Sequence, residues 1–468
     1  MAGLLVLVGA CLIIFIFIVI RGIFRAAKRL RRKVAEHRDP HDGNQGVEVI
    51  RGGRVQPCGN GNGRVSARGD LHIHIGGEAI DPTTEAKHFL FSGATGSGKT
   101  QGINQVLRAI RARGARAIVA DAGGASLERF YQPGDLILNP FDGRSVGWSP
   151  FAEIRSDYDC SRLAKASIPD AEGESREWHV YAQTLLGETL RALYVQRNFS
   201  VERLMYFLTA AEPAALLQLL KGTAAEMFCR EGSEKMLANT RAILGAFLVA
   251  WRYLPDEGEF SARQWVRDEN DTRWLFVTYR EDQFEMLRYL IPTILDLAVV
   301  ENLSLTENED RQIWFILDEV DSLGKVASLR HALSKLRKYG GRCVLGLQTI
   351  AQLRSTYGKD EAQTLMANVA TKVVLRAGDG ETAEYFSQEF GNQEIERTQV
   401  SRSTTMQGGF GTSKTRNTVR ETRRTVLESE IAALRDLEGY LKTPGSLARI
   451  QLAFEQPVRQ TDAYLAAI

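Results

Sequence analysis

A chain of 468 residues, 44% hydrophobic and 25% charged, is too long for one small domain and too apolar to stay disordered; two to three domains are expected. Its 59 basic and 57 acidic residues leave a net charge of +2, so bulk charge selects no partner and only local clusters carry information. Cys11, Cys58, Cys160, Cys229 and Cys343 are scattered without a Cys-x-x-Cys pair or nearby histidine cluster, which disfavours a disulfide framework or zinc site and fits a reducing compartment.

Residues Ala2 to Ile20 carry no charge and are almost wholly apolar. At 1.5 Å per residue they would span roughly 28 Å, enough for one bilayer crossing. Arg21, Arg25, Lys28, Arg29, Arg31, Arg32 and Lys33 follow with no acid before Glu36. A cleaved signal peptide carries its charge before the apolar run, whereas basic residues after a span stay in the cytoplasm. The expectation is a single-pass transmembrane anchor at 1–24, with the N-terminus out and the remainder cytoplasmic. The basic run has two readings, topology-setting charge and contact with anionic headgroups.

Residues 25–70 read as a basic juxtamembrane segment and a glycine-rich linker with room for two short strands. From Leu71 the pattern is α/β. LHIHIG alternates like a strand, HFLFSG is a buried strand, a helix runs to about Arg113, and ARAIVAD and DLILNP are further strands. From 153 to 272 apolar residues recur at helical spacing, which predicts an inserted all-α domain. The α/β pattern then resumes with RWLFVTY, a helix over EMLRYLIPTILDLAVVENL, and the strands QIWFILDEV, RCVLGLQ and TKVVLRA. The nucleotide-binding domain is thus expected in two parts, 71–152 and 273–468. Residues 397–425 are polar and read as a solvated, flexible hairpin, and SLARIQLAFEQP reads as a last edge strand. No internal repeat is visible.

The strongest chemical signal is GATGSGKT: Gly93, Ala94, Thr95, Gly96, Ser97, Gly98, Lys99 and Thr100. It fits G-x-x-x-x-G-K-[ST] between a buried strand and a helix, the context of a phosphate-binding P-loop. Glycines let backbone N–H groups approach phosphate oxygens, Lys99 reaches the β- and γ-phosphates, and Thr100 offers its hydroxyl to Mg²⁺. A ligand-free glycine turn is the bland alternative, and the flanking strand and helix argue against it. The second signal is an apolar strand ending in Asp318 and Glu319. Asp318 suits the shell of Mg²⁺, and Glu319 can deprotonate an attacking water. Capping of a following turn is the competing reading, and the pairing with a P-loop disfavours it. ATP and Mg²⁺ are therefore the expected cofactors.

Two further residues are open. Gln348, at the end of RCVLGLQ, either contacts the γ-phosphate or lytic water or is a solvated strand end. Arg337, in KLRKYGG, is either an arginine finger for a neighbouring subunit or part of a solvated basic helix end, and the residues alone favour the latter. The basic residues Arg397, Arg402, Lys414, Arg416, Arg420, Arg423 and Arg424 fit a solvated hairpin better than a nucleic-acid surface, since only Phe410 accompanies them. His72 and His74 share a strand face but lack a third ligand, and with His179 read as structural.

Together these motifs resemble type IV coupling proteins of the TraD/TrwB kind. The resemblance covers nearly the whole chain: RGG near Arg51, Glu85-x-x-His88, GDLILNPFDGRSVGWSPF, the helical insertion, LDEVDSLGKVASLRHALSKLRKYGG, LGLQTIAQL and YLKTPGSLARIQL. It implies an α/β, RecA-like P-loop NTPase domain with an inserted all-α domain and an N-terminal transmembrane helix. It implies a homo-hexamer around a central channel in the bacterial inner membrane. Such an ATPase recruits the relaxase–DNA complex of the relaxosome, meets inner-membrane components of a type IV secretion system, and drives single-stranded DNA into the channel in conjugation. The family's strand-end glutamine falls on Gln348 and its arginine finger on Arg337. Many members have two membrane helices and some a long acidic tail; one helix and no such tail are seen here. After ARAIVAD stands AGG, where a more polar loop is expected. Two alternatives are an FtsK-like translocase of double-stranded DNA and a secretion adaptor for protein effectors, with the helical insertion as docking surface.

Overall fold

The computed structural model describes residues 47–57, 72–171, 173–405 and 411–467. The anchor expected at 1–24 and the basic run behind it lie outside these residues. Among the described residues no helix is long and apolar enough to cross a membrane.

The strands in chain order are β1 (Val47–Gly52), β2 (Val55–Gln56), β3 (Ile73–Ile75), β4 (Glu78–Ile80), β5 (Phe89–Ser92), β6 (Arg116–Ala122), β7 (Leu136–Leu138), β8 (Leu275–Tyr279), β9 (Ile313–Leu317), β10 (Gly341–Leu347), β11 (Thr371–Val374), β12 (Asn392–Thr405), β13 (Gly411–Arg424), β14 (Glu438–Lys442) and β15 (Leu447–Gln451). Ten of them make one sheet in the order β2-β15-β14-β11-β5-β10-β9-β6-β8-β7. From β11 to β7 every neighbouring pair is parallel, while β14 pairs antiparallel with both β11 and β15. This is the mixed α/β sheet of a RecA-like fold.

The parallel strands read as continuous apolar runs because both of their faces are covered. In β9, Trp314 and Ile316 join one core, with Phe89, Phe91, Val119 and Val344. Phe315 and Leu317 face the other, with Leu90, Ile118 and Leu345. The period of two sends alternate residues to opposite layers. The first layer takes Ile103, Val106, Leu107 and Ile110 of the helix Lys99–Ala112. The second takes the helix Leu290–Asn302 and the apolar faces of the helices between β7 and β8.

Between β7 and β8 the chain is helical, from Asp157–Ser167 to Ala262–Arg267. A buried ionic cluster fastens this segment to the helix Leu290–Asn302. Glu301, fully buried, accepts from Arg263 Nε at 2.6 Å, lies 3.0 Å from Arg155, and also meets Arg267. Arg263 turns its remaining edge to Asp159 at 2.7 Å.

Four sequence readings change in detail. The helix expected over 285–303 is split into Glu281–Leu287 and Leu290–Asn302, with Pro292 in the first turn of the second, where its missing N–H costs no helical bond. LHIHIG contributes β3, which pairs with β4 outside the main sheet. The strand β15 is not an edge, because β2 pairs along its outer side. Residues 397–425 contribute most of β12 and β13. Their apolar content is low, but Thr and Val recur through them, and β-branched residues favour the pleat. β1, β12 and β13 form a three-stranded sheet, and Val47–Gly52 with Asn392–Arg423 make a compact unit of their own.

Candidate active site

The loop after β5 is shaped by what its glycines lack. Gly96 and Gly98 have φ of 78° and 108°, a region that L side chains rarely adopt. A Cβ on Gly98 would stand 2.6 Å from Leu437 Cδ2, and one on Gly93 would stand 2.4 Å from Ser97 Oγ. The loop is pinned from three sides. Gly93 N donates to Leu347 O at 3.1 Å, Ala94 N donates to Arg376 O at 2.8 Å, and Ser97 O accepts from Leu437 N at 2.8 Å. The helix Lys99–Ala112 starts directly behind it, so its N-terminal dipole faces the loop's cavity.

Lys99 is buried and reaches the tip of β9. Its Nζ donates to Asp318 O at 3.2 Å and lies 3.7 Å from Asp318 Oδ1 and 3.9 Å from Glu319 Oε1. Gln348, at the end of β10, donates through Nε2 to Glu319 Oε1 at 3.0 Å. The β9 tip can pass this close because β10 has glycine there: a Cβ on Gly346 would stand 1.7 Å from Asp318 O. Burial holds the Asp318 carboxyl above the usual carboxylate range, against the pull of Lys99 and with a push from Glu319.

A cavity of about 410 Å³ gathers Gly93–Gly96, Gly98–Thr100, Glu319 and Gln348. Of the residues expected from sequence, Ser97 lies under the loop, buried, and Asp318 beside it at Lys99. Arg337 is elsewhere. It sits in the turn Leu336–Tyr339 that precedes β10, so it lies at the opposite ends of the parallel strands from the loop. It is half-exposed and 3.5 Å from Glu309.

The donor set fits a magnesium nucleotide. Backbone N–H groups of the loop and Lys99 could hold phosphates. The Thr100 hydroxyl and the Asp318 carboxylate are the hard oxygen ligands Mg²⁺ prefers. Asp318 Oδ1 is buried without a hydrogen-bond partner, a position that a cation would satisfy.

Asp436, Leu437 and Phe454 also line this cavity, and the sequence carries no local signal for them. Leu437 holds φ of 68° where it meets the loop. Asp121, at the end of β6, accepts from Ser126 N at 3.1 Å and Leu127 N at 2.7 Å, and burial raises its carboxyl to about 7. The unexpected AGG after it has a steric reason. Gly123 and Gly124 both have positive φ, and a Cβ on Gly124 would stand 2.7 Å from Ala463 O.

Residues 72–455 match the family model described as the type IV secretion-system coupling protein DNA-binding domain. The chain belongs to that family. It is 29% identical over 403 residues to coupling protein TraD of Escherichia coli strain K12, covering 83% of this chain and 55% of TraD. Conjugal transfer protein TraG of Escherichia coli is 26% identical over 300 residues, 55% of this chain and 47% of TraG. The chain thus spans about half the length of these curated relatives. Among solved structures, unbound conjugative coupling protein TrwBdeltaN70 superposes with a TM-score of 0.82 at 35% identity, over 90% of this chain and 98% of that one. TrwB has also been solved with ADP and Mg²⁺ and with the GTP analogue GDPNP. Those structures are 34% identical, with TM-scores of 0.80 and 0.79 over 91% and 90% of this chain and 99% of each solved chain. These matches show a coupling protein with the RecA-like NTPase fold.

Proposed function

We propose that this coupling protein hydrolyses ATP to move relaxase-bound single-stranded DNA into a type IV secretion channel during conjugation. The observation that carries the reading is Lys99 spanning the β9 tip at the mouth of the glycine loop, with Glu319 and Gln348 hydrogen-bonded on the same cavity. Lys99 and the loop N–H groups orient the triphosphate. Glu319 takes the proton of the attacking water, and Gln348 holds that carboxylate by donating from Nε2 to Glu319 Oε1. Mg²⁺, when bound by Thr100 and Asp318, neutralises phosphate charge. That TrwB has been solved with ADP and Mg²⁺ and with GDPNP supports a magnesium nucleotide here.

In this reading six copies surround a channel, Arg337 of each completes its neighbour's site, and Ala2–Ile20 anchors the assembly in the inner membrane with the N-terminus outside. The inserted helices 153–272 and the two-part nucleotide-binding domain 71–152 and 273–468 work as one motor. The partners are the relaxosome and inner-membrane components of the secretion system.

Steady-state ATP hydrolysis by the full chain in detergent, with and without single-stranded DNA and beside Lys99→Ala, tests the reading. DNA stimulation that disappears in the variant supports it. Hydrolysis indifferent to DNA overturns the DNA-motor reading and favours protein cargo.

A further inference from the structure

The phosphate loop accounts for only one side of its cavity. The other side comes from distant sequence: Asp436 and Leu437 before β14, and Phe454 after β15. Phe454 is 65% exposed at the rim of the cleft, and its ring is the one aromatic group among the described residues that line it. An aromatic ring left in water costs free energy in proportion to its area, and any flat apolar surface laid on it recovers that cost.

The ring is held in place on both sides. Before it, Leu452 N donates to Leu437 O at 2.8 Å. After it, Glu455 is locked to the helix Lys99–Ala112. Gln101 Nε2 donates to Glu455 O at 3.3 Å, Glu455 N donates back to Gln101 Oε1 at 3.4 Å, and Arg108 pairs with the Glu455 carboxylate. The helix that begins in the phosphate loop therefore sets the distance from loop to ring. Leu452 fastens the same segment to Leu437, whose N–H already binds the loop at Ser97 O.

We propose that Phe454 is the platform on which the nucleotide's base stacks, in a subsite that accepts adenine and guanine alike. This rests on the nucleotide-binding reading above and adds the base to it. Indifference to the base follows from the groups beside the ring. Gln101 spends its amide on the Glu455 backbone, and Asp436 is paired with Arg376 at 2.9 Å. A ring without an edge reader stacks on any base, because every base offers a π-face.

The test is titration calorimetry of the full chain in detergent with Mg²⁺, using ADPNP, GDPNP and inorganic tripolyphosphate as probes. Phe454→Ala should weaken both nucleotides by the same factor, about tenfold, and leave tripolyphosphate unchanged. Phe454→Leu, which keeps apolar bulk at an exposed position, should lose nearly as much, and Phe454→Trp should bind as well as the parent. Unchanged nucleotide affinity in Phe454→Ala overturns the proposal, and so does an equal loss of tripolyphosphate, which would make the ring a support for the loop. A parent chain that prefers one purine by more than about tenfold overturns the shared subsite. Variants altered only in self-association would assign the ring to a contact between copies instead. A parent chain that binds none of the three probes would overturn the nucleotide-binding reading as well.

Discussion

Glu319 and Gln348 share one hydrogen bond of 3.0 Å, and the two ends of it are expected to fail differently. Glu319→Gln removes the proposed base but leaves the loop, Lys99 and Asp318 in place. It should bind nucleotide as the parent does and lose about 10²–10⁴-fold in kcat. Gln348→Ala leaves the Glu319 carboxylate present, with Ser322 Oγ still donating to its Oε2 at 3.4 Å, so its kcat should fall less than that of Glu319→Gln. Paired measurements of Kd and kcat check this, and a Glu319→Gln variant that hydrolyses normally would remove Glu319 from the chemistry. His88 supports a prediction of another kind. It is buried, with Nδ1 accepting from Cys343 N at 3.0 Å and Nε2 donating to Leu333 O at 3.1 Å. Burial, helped by the nearby Arg342 charge and opposed by the Leu333 bond, pushes its pKa down to about 4. Between pH 6.5 and 4 the unfolded chain protonates this ring and the folded chain does not. Its contribution to stability is therefore complete above pH 6.5 and is lost as pH falls through that window, by up to about 3 kcal/mol. His88→Asn, with a residue that tolerates the local φ of 69°, should lose correspondingly less on acidification in denaturant titrations.

Elements meet at a few close approaches, and these are where single substitutions should reach furthest. Gly346 on β10 lies against Asp318 O, and Val320 N donates to Gly346 O at 3.0 Å. Gly346→Ala must push the β9 tip away from Lys99. The chain should still fold, because the displacement is at a strand end, but nucleotide affinity and kcat should both drop at least tenfold; parent-like values would show that the tip has slack. Glu301→Ala removes the buried partner of Arg263 Nε, leaving Asp159 as its remaining carboxylate, and should destabilise the chain by about 3 kcal/mol, read as a lowered denaturation midpoint. The same close approaches explain what the sequence could express. β5, β6, β8, β9, β10 and β11 were legible because a strand covered on both faces must be apolar throughout. The phosphate loop was legible because its function sits in eight consecutive residues. Leu437 and Phe454 were not, since they meet the loop from the far end of the chain: Gln101 and Glu455 are 354 residues apart. β12 and β13 looked like a loose hairpin because their pattern is polar, and the pairing of β1 with β12 joins segments too far apart in the chain for a local pattern to show.

For the whole molecule, if Arg337 completes a neighbour's site as proposed, its position decides how the copies must relate. The loop of a parallel sheet opens at the C-terminal ends of its strands, where Gly93, Glu319 and Gln348 all lie. Arg337 precedes β10 at the N-terminal ends, on the far side of the sheet from its own cavity. A guanidinium there serves no nucleotide in its own chain. It can reach one only if the strand N-terminal ends of one copy face the cavity of the next, an arrangement that closes into a ring when repeated by rotation. Half-exposed and paired, among the described residues, with the surface carboxylate of Glu309, it can be released to a phosphate at little cost. Hydrolysis should then rise faster than linearly with protein concentration until assembly is complete. Arg337→Ala should bind nucleotide normally and lose about 10³-fold or more in kcat. Mixing decides between this and a local defect. Arg337→Ala copies carry intact Lys99 and Glu319, whereas Lys99→Ala copies carry an intact Arg337, so a mixture of the two dead variants should recover part of the activity. Specific activity that stays constant down to monomer concentrations, with no recovery in the mixture, would return Arg337 to an ordinary solvated turn.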